Sequence, residues 1–183
     1  MRIIAGKYKS RVLNTLEGMN TRPMMSRMKE SIFNTIGPYF EGDVVLDLFG
    51  GSGQLSLEAI SRGASRAYIV EKDYKASKII QSNVNLLKEE KNVSLYQMDY
   101  KQALAMFKND KMKFDIIFLD PPYRMNIMEE IVSFICSNDM LNSDGVIVCQ
   151  YVRGNYTPCE DDYLVLRKNY TYASSEVCIY KKR

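Results

Sequence analysis

Four residues that follow an apolar run, Asp120-Pro121-Pro122-Tyr123, combine hydrogen-bond acceptors, a stiffened backbone and an aromatic ring. The exocyclic amine of a nucleobase is a poor nucleophile because its lone pair is delocalised into the ring. Acceptors aimed at its N–H groups return density to nitrogen and favour the pyramidal geometry of attack. The Asp120 carboxylate and the Pro121 carbonyl can supply them, Pro122 limits reorganisation, and Tyr123 offers a stacking face. Upstream, VVLDLFGGSG (44–53) runs an apolar strand into a glycine turn that lets a cofactor approach the backbone. The pair points to methyl transfer from S-adenosylmethionine to the exocyclic nitrogen of a nucleobase. The methylated amine is acidic, so no strong general base is required and a chain without histidine is no obstacle. A paired base must first be extruded, at a cost that falls for a base already in a loop.

On the cofactor side, Asp47 precedes Phe49-Gly50-Gly51-Ser52-Gly53. A dinucleotide fingerprint started at Gly51 would need a third glycine where Ser56 stands, which disfavours nicotinamide and flavin cofactors. Glu71 closes the next strand, where a carboxylate can accept from both ribose hydroxyls. Asp99 can accept from an adenine amine. Phe49, Lys72 and Tyr100 flank these positions and complete the expected cofactor set. The purely structural alternatives are a proline-stiffened strand exit at Asp120 and helix capping at Glu71 and Asp99.

The elements that must position these groups alternate. Strands are expected over 44–48, 66–71, 93–98, 114–120 and 145–151, with helices over 54–62, 73–89, near 100–107 and over 125–137. Asp73 is a plausible N-cap. A further helix over 26–36 carries Met28, Ile32, Phe33 and Ile36 on one face, and 163–167 and 176–180 read as a terminal antiparallel pair. Residues 2–4 and 11–16 suggest a hairpin around Ala5-Gly6. Alternating strands and helices imply a doubly wound, mostly parallel sheet that binds ligands beyond its strand ends.

The length of 183 residues suits a single domain over 1–183, with 1–20 as a hairpin extension. The net charge of +3 is uneven, +5 over residues 1–30 and −2 over the rest, which suits a polyanionic partner. The four cysteines form no CxxC pair, so no metal is expected and the thiols suit the cytoplasm. No apolar run reaches membrane-spanning length, and no signal-peptide core is visible.

MRIIAGKYKSRVL, TRPMMSRMKESIFN, LDLFGGSGQLSLEAISRGA, VEKD and FDIIFLDPPY, in this order, resemble the RsmD family of bacterial 16S rRNA guanine-N2 methyltransferases. The likeness spans most of residues 1–124. It implies a class I methyltransferase sheet with an N-terminal β-hairpin, S-adenosylmethionine as donor, and a loop guanine of 16S rRNA or the small ribosomal subunit as acceptor; separately, a monomer is expected. On that basis Asp47, Gly51, Ser52 and Gly53 line the methionine end, Glu71 holds the ribose and Asp99 the adenine. Asp120 through Tyr123 handle the guanine, and Arg2, Lys7, Arg11, Arg22, Arg27 and Lys29 meet phosphate. Gly50 stands where the family usually has alanine, a change expected to loosen the turn, and Cys149-Gln150-Tyr151 lacks the acid or histidine often seen at that strand end. The rivals are a DNA adenine-N6 methyltransferase, for which 183 residues leave little room for a recognition domain, and a catalytically silent RNA-binding module.

Overall fold

The structure, a computed structural model, describes residues 1–15, 26–122 and 125–183. Seven strands form one sheet in the order β3-β2-β1-β4-β5-β7-β6. β1 (Val44–Asp47), β2 (Arg66–Val70), β3 (Val93–Tyr96), β4 (Phe114–Leu119) and β5 (Leu141–Val152) are parallel. β7 (Ser175–Lys182) enters between β5 and β6 (Leu164–Thr171), antiparallel to both. The helices among the described residues are α1 (Ser26–Ile36), α2 (Gln54–Ser61), α3 (Tyr74–Leu87), α4 (Tyr100–Asn109) and α5 (Met128–Ser137). From β1 the chain goes outward to β2 and β3, then returns to β4 on the opposite side of β1. The winding therefore reverses between β1 and β4, whose tips carry Asp47 and, one residue past the strand, Asp120.

Alternate residues of each central strand enter different cores. Val45, Ile116, Phe118 and Val148 pack with α1, α2 and α3, whereas Leu46, Ile117, Leu119 and Cys149 pack with α4 and α5. Burial on both faces explains why the middles of these strands, 44–46, 67–70, 116–119 and 146–149, are apolar runs.

The N-terminal hairpin belongs to the first of these cores, with Ile3 and Leu13 almost fully buried there. Its strands reduce to one bridge, Arg2 to Val12. It docks on α2: the Lys7 amide donates to the Ser61 carbonyl at 2.8 Å, and the Tyr8 amide donates to Ser61 Oγ at 2.9 Å. Gly6, at φ +83°, lies so close that an added Cβ would stand 1.8 Å from the Ser61 carbonyl oxygen.

Several boundaries differ from expectation. β5 starts at Leu141, earlier than the apolar run suggests, because Leu141 pairs with Phe114 across a register shift. α5 starts at Met128 because the preceding residues turn first, the Met125 amide donating to the Pro122 carbonyl at 2.9 Å. Asp73 caps α3 as expected, accepting from the Ala76 amide at 2.8 Å. Among the described residues no helix is long and apolar enough to cross a membrane, and no group of three or more His, Cys, Asp or Glu is placed to hold a metal ion. All four cysteines are free thiols.

Candidate active site at the strand tips

The loop after β1 turns over the start of α2 through Gly51 (φ +56°) and Gly53 (φ +76°), both left-handed. The Gly51 amide donates to Glu71 Oε2 at 2.8 Å, and the other oxygen of Glu71 accepts from the Asp73 amide at 2.7 Å. A Cβ added at Gly51 would meet nothing within 4 Å, so the space over this exposed backbone is open. Gly50 is different, and the expectation of a loosened turn is wrong. A Cβ there would stand 2.4 Å from Ile69 Cγ2 and 2.9 Å from Ile80 Cδ1, so those two isoleucines fill the space that an alanine methyl would need.

Asp47 is 2% exposed and turned into the protein, accepting from Ser56 Oγ at 3.1 Å and from the Phe49 amide at 3.3 Å. It therefore holds the glycine loop to α2 and is not the exposed lining group expected from the sequence. Burial pushes its carboxyl up to about 7, against the pull of the Ser56 hydroxyl and the Phe49 amide. Asp120 is half-buried, and none of the described residues hydrogen-bonds to it. Desolvation, then the charge of Asp47, push its carboxyl up to about 7 as well. Two carboxylates that resist ionising together make this a site suited to a cation.

Asp99 caps α4, accepting from the Lys101 amide at 3.0 Å, and pairs with Lys72 at 3.1 Å. The Lys101 amide, followed by Lys72, holds it below the usual carboxylate range. The structural reading of Asp99 is thus correct, and a carboxylate with further lone pairs still faces solvent. The rings of Phe49 and Tyr100 pack at 5.4 Å beside it.

Pro121 and Pro122 line a small surface pocket together with Met125, Asn155, Tyr151 and Tyr156. The two tyrosine rings meet edge to face at 5.2 Å, and the Tyr156 hydroxyl is fixed by that of Tyr180 at 2.8 Å. The sequence reading missed this wall, although three closely spaced aromatic or polar groups after an apolar strand were a signal for it. Tyr123 and Arg22 lie outside the described residues.

Buried polar side-chain atoms without a hydrogen-bond partner among the described residues are Gln54 Oε1, Gln150 Oε1 and Tyr151 Oη. All three belong to segments at the strand tips: Gln54 follows the glycine loop, and the other two end β5. Unpaired buried groups are costly and call for a partner. Open backbone over Gly51, a carboxylate at Glu71 and an acceptor-rich, acidic surround fit a nucleoside carrying a sulfonium.

The basic set divides. Arg2, Arg11 and Arg27 are exposed, and Lys7 is half-exposed but paired with Glu89 at 2.5 Å. Lys29 corrects the sequence expectation. It is 2% exposed, pairs with Glu58 at 2.8 Å and donates to the Arg2 carbonyl at 2.8 Å, so it is unavailable to phosphate. Burial lowers its pKa, opposed by Glu58.

A family profile described as conserved hypothetical protein 95 matches residues 1–181. YlbH of Bacillus subtilis is 41% identical over 183 residues, the whole of both chains. Ribosomal RNA small subunit methyltransferase D of Haemophilus influenzae is 30% identical over 173 residues, 93% of this chain and 89% of that protein. Among solved structures, yhhF from Escherichia coli superimposes with a TM-score of 0.87 at 29% identity, covering 100% of this chain and 98% of that one.

Proposed function

Because the chain belongs to the conserved hypothetical protein 95 family, that of the RsmD small-subunit rRNA methyltransferases, we propose that it methylates the exocyclic N2 of a loop guanine in 16S rRNA. The fold is the Rossmann-like fold of class I methyltransferases, and relatives are named as small-subunit rRNA methyltransferases. The observation that carries the finer reading is Asp120: a carboxyl at the switch point, beside Asp47, with no partner of its own among the described residues. Bound S-adenosylmethionine supplies an electrophilic methyl group on a cationic sulfur. Glu71 accepts from the ribose hydroxyls and Asp99 from the adenine amine, the roles open to their remaining lone pairs. Asp120 and the Pro121 carbonyl take the two N–H groups of the guanine amine, while the Pro122 carbonyl is already engaged by Met125. The positive charge that develops on nitrogen is met by an acceptor pair that needs little reorganisation. Tyr123 and the Tyr151–Tyr156 wall enclose the base. Arg2, Arg11, Arg22 and Arg27 meet phosphate, and one copy of the chain carries the whole site.

Incubation with tritiated S-adenosylmethionine tests this reading. We expect label in undermodified small-subunit rRNA or its particles. Labelled DNA, or no labelled nucleic acid, would contradict it.

Charge sets a second expectation. Ionised Asp47 and Asp120 favour a sulfonium over the neutral thioether of S-adenosylhomocysteine. Both carboxyls are held near 7, so they lose charge as pH falls through neutrality. The affinity ratio of S-adenosylmethionine to S-adenosylhomocysteine should rise between pH 6 and pH 8, by about threefold to tenfold. Calorimetry at both pH values checks this, and a flat ratio would remove the two carboxyls from the electrostatic account.

Phosphate contacts leave a salt signature. Arg11→Ala and Arg27→Ala should each weaken rRNA binding and reduce the slope of log affinity against log salt by about 0.7 to 0.9. An unchanged slope would take that arginine out of the RNA interface.

A further inference from the structure

Asn83 on α3 is fully buried, and both donors and the oxygen of its amide are engaged. Its Oδ1 accepts the Asn14 backbone N–H at 2.7 Å, and its Nδ2 donates to the Asn14 carbonyl at 3.0 Å and to the Ser52 carbonyl at 2.9 Å. One side chain thereby ties the exit of the N-terminal hairpin to the middle of the glycine loop. A parallel contact joins the other leg of the hairpin to the same loop residue: the Ser52 hydroxyl lies 3.7 Å from Met1 Sδ, and the Leu13 amide donates to the Met1 carbonyl at 2.7 Å. The hairpin that carries Arg2 and Arg11 and the loop that carries Gly51 and Ser52 are thus hydrogen-bonded into one body.

Resting on the reading of the chain as an rRNA methyltransferase, we propose that Asn83 is a positioning residue that couples RNA seating on the hairpin to cofactor binding at the glycine loop. Asn83 itself is fully buried, with both amide donors and the amide oxygen committed, so it has little slack. If Asn14 moved without Ser52, a donor or acceptor would be left unpaired, and that cost makes the two segments move together. RNA that draws the hairpin to one position therefore sets the Ser52 carbonyl and, with it, the backbone over which the cofactor lies. Linkage requires the reverse effect to be equal.

The test measures the affinity of the full chain for S-adenosylhomocysteine with and without saturating undermodified 16S rRNA. RNA should tighten it by about fivefold or more, and the thioether should tighten RNA by the same factor. Asn83→Ala should reduce that factor to below about twofold and raise the cofactor KM while leaving kcat nearly unchanged. Asn14→Ala keeps both backbone groups and should retain the coupling. If Asn83→Ala does not fold, the unaltered chain still decides the matter. RNA alone should slow hydrogen exchange at the amides of residues 51–54. RNA that binds and is methylated yet leaves thioether affinity and loop exchange unchanged would overturn the coupling alone. RNA that is neither bound nor methylated would overturn the coupling together with the function on which it rests.

Discussion

Asp120→Ala should lower kcat for rRNA methylation by about a thousandfold while leaving S-adenosylhomocysteine affinity within a few-fold of the unaltered chain. The carboxylate is one of two acceptors facing the amine, and its contribution grows as positive charge appears on nitrogen. That is stabilisation of the transition state, so kcat falls and RNA affinity changes little. Asp120→Asn keeps one acceptor oxygen and the shape, and should recover part of the loss. Instability will not explain the defect. Asp120 ionises near 3.8 in the unfolded chain and near 7 in the folded one, so the native state is penalised increasingly as pH rises from 4 to 7. The asparagine variant escapes that penalty and should melt above the unaltered chain at pH 8, with the gain disappearing below pH 4. Single-turnover kinetics and thermal melts check both halves. A variant with near-full kcat would remove Asp120 from the chemistry.

Glu58→Ala should cost about 3–5 kcal/mol of stability, a fall in melting temperature on the order of 10 °C. Glu58 is fully buried within α2. It pairs with Lys29 at 2.8 Å and Arg62 at 2.8 Å, and it accepts the Ile4 and Ala5 amides at 2.9 and 3.0 Å. Its removal leaves two cations in the interior facing each other and frees two backbone donors of the hairpin. Arg62 remains seated on the Phe33 ring at 4.6 Å and on the Pro38 carbonyl at 3.0 Å, but Lys29 loses its only side-chain counter-charge among the described residues. Truncating Lys29 as well, in Glu58→Leu with Lys29→Met, should recover part of the loss, because apolar replacement of a buried pair is tolerated better than half of it. A single variant that melts within 2 °C of the unaltered chain would show that the hairpin is held by its apolar contacts alone. The same variant tests the fold's second use of this cluster, since an undocked hairpin should bind rRNA more weakly.

Much of this fold can be read in the sequence because strands buried on both faces need apolar runs, and 44–46, 67–70 and 116–119 are such runs. Asp73 announced the start of α3 because its cap bond is local. The glycine loop and Asp120 were likewise visible as strand-exit chemistry. What stayed hidden depends on long-range partners. Lys29 reads as one more base in a basic arm until α2 brings Glu58 under it, 29 residues later. Gly50 reads as slack until Ile69 and Ile80 are seen against it. Tyr151 and Tyr156 join Pro121 only because β5 lies beside β4. Two signals could have been used: Asn83 shares the buried stripe of Ile80, Val84 and Leu87, and Glu58 stands between Leu57 and Ala59-Ile60 in a helix whose other residues carry no charge. A polar group on such a face requires a partner, and here the hairpin is one partner of each.

The most direct test of the central claim is the identity of the methylated nucleoside. Undermodified 16S rRNA labelled by this protein with tritiated S-adenosylmethionine would be digested to nucleosides and separated. The Asp120–Pro121 acceptor pair gripping a guanine amine predicts radioactivity in N2-methylguanosine alone. Label in N6-methyladenosine, or in any nucleoside methylated on carbon or ribose, would contradict it.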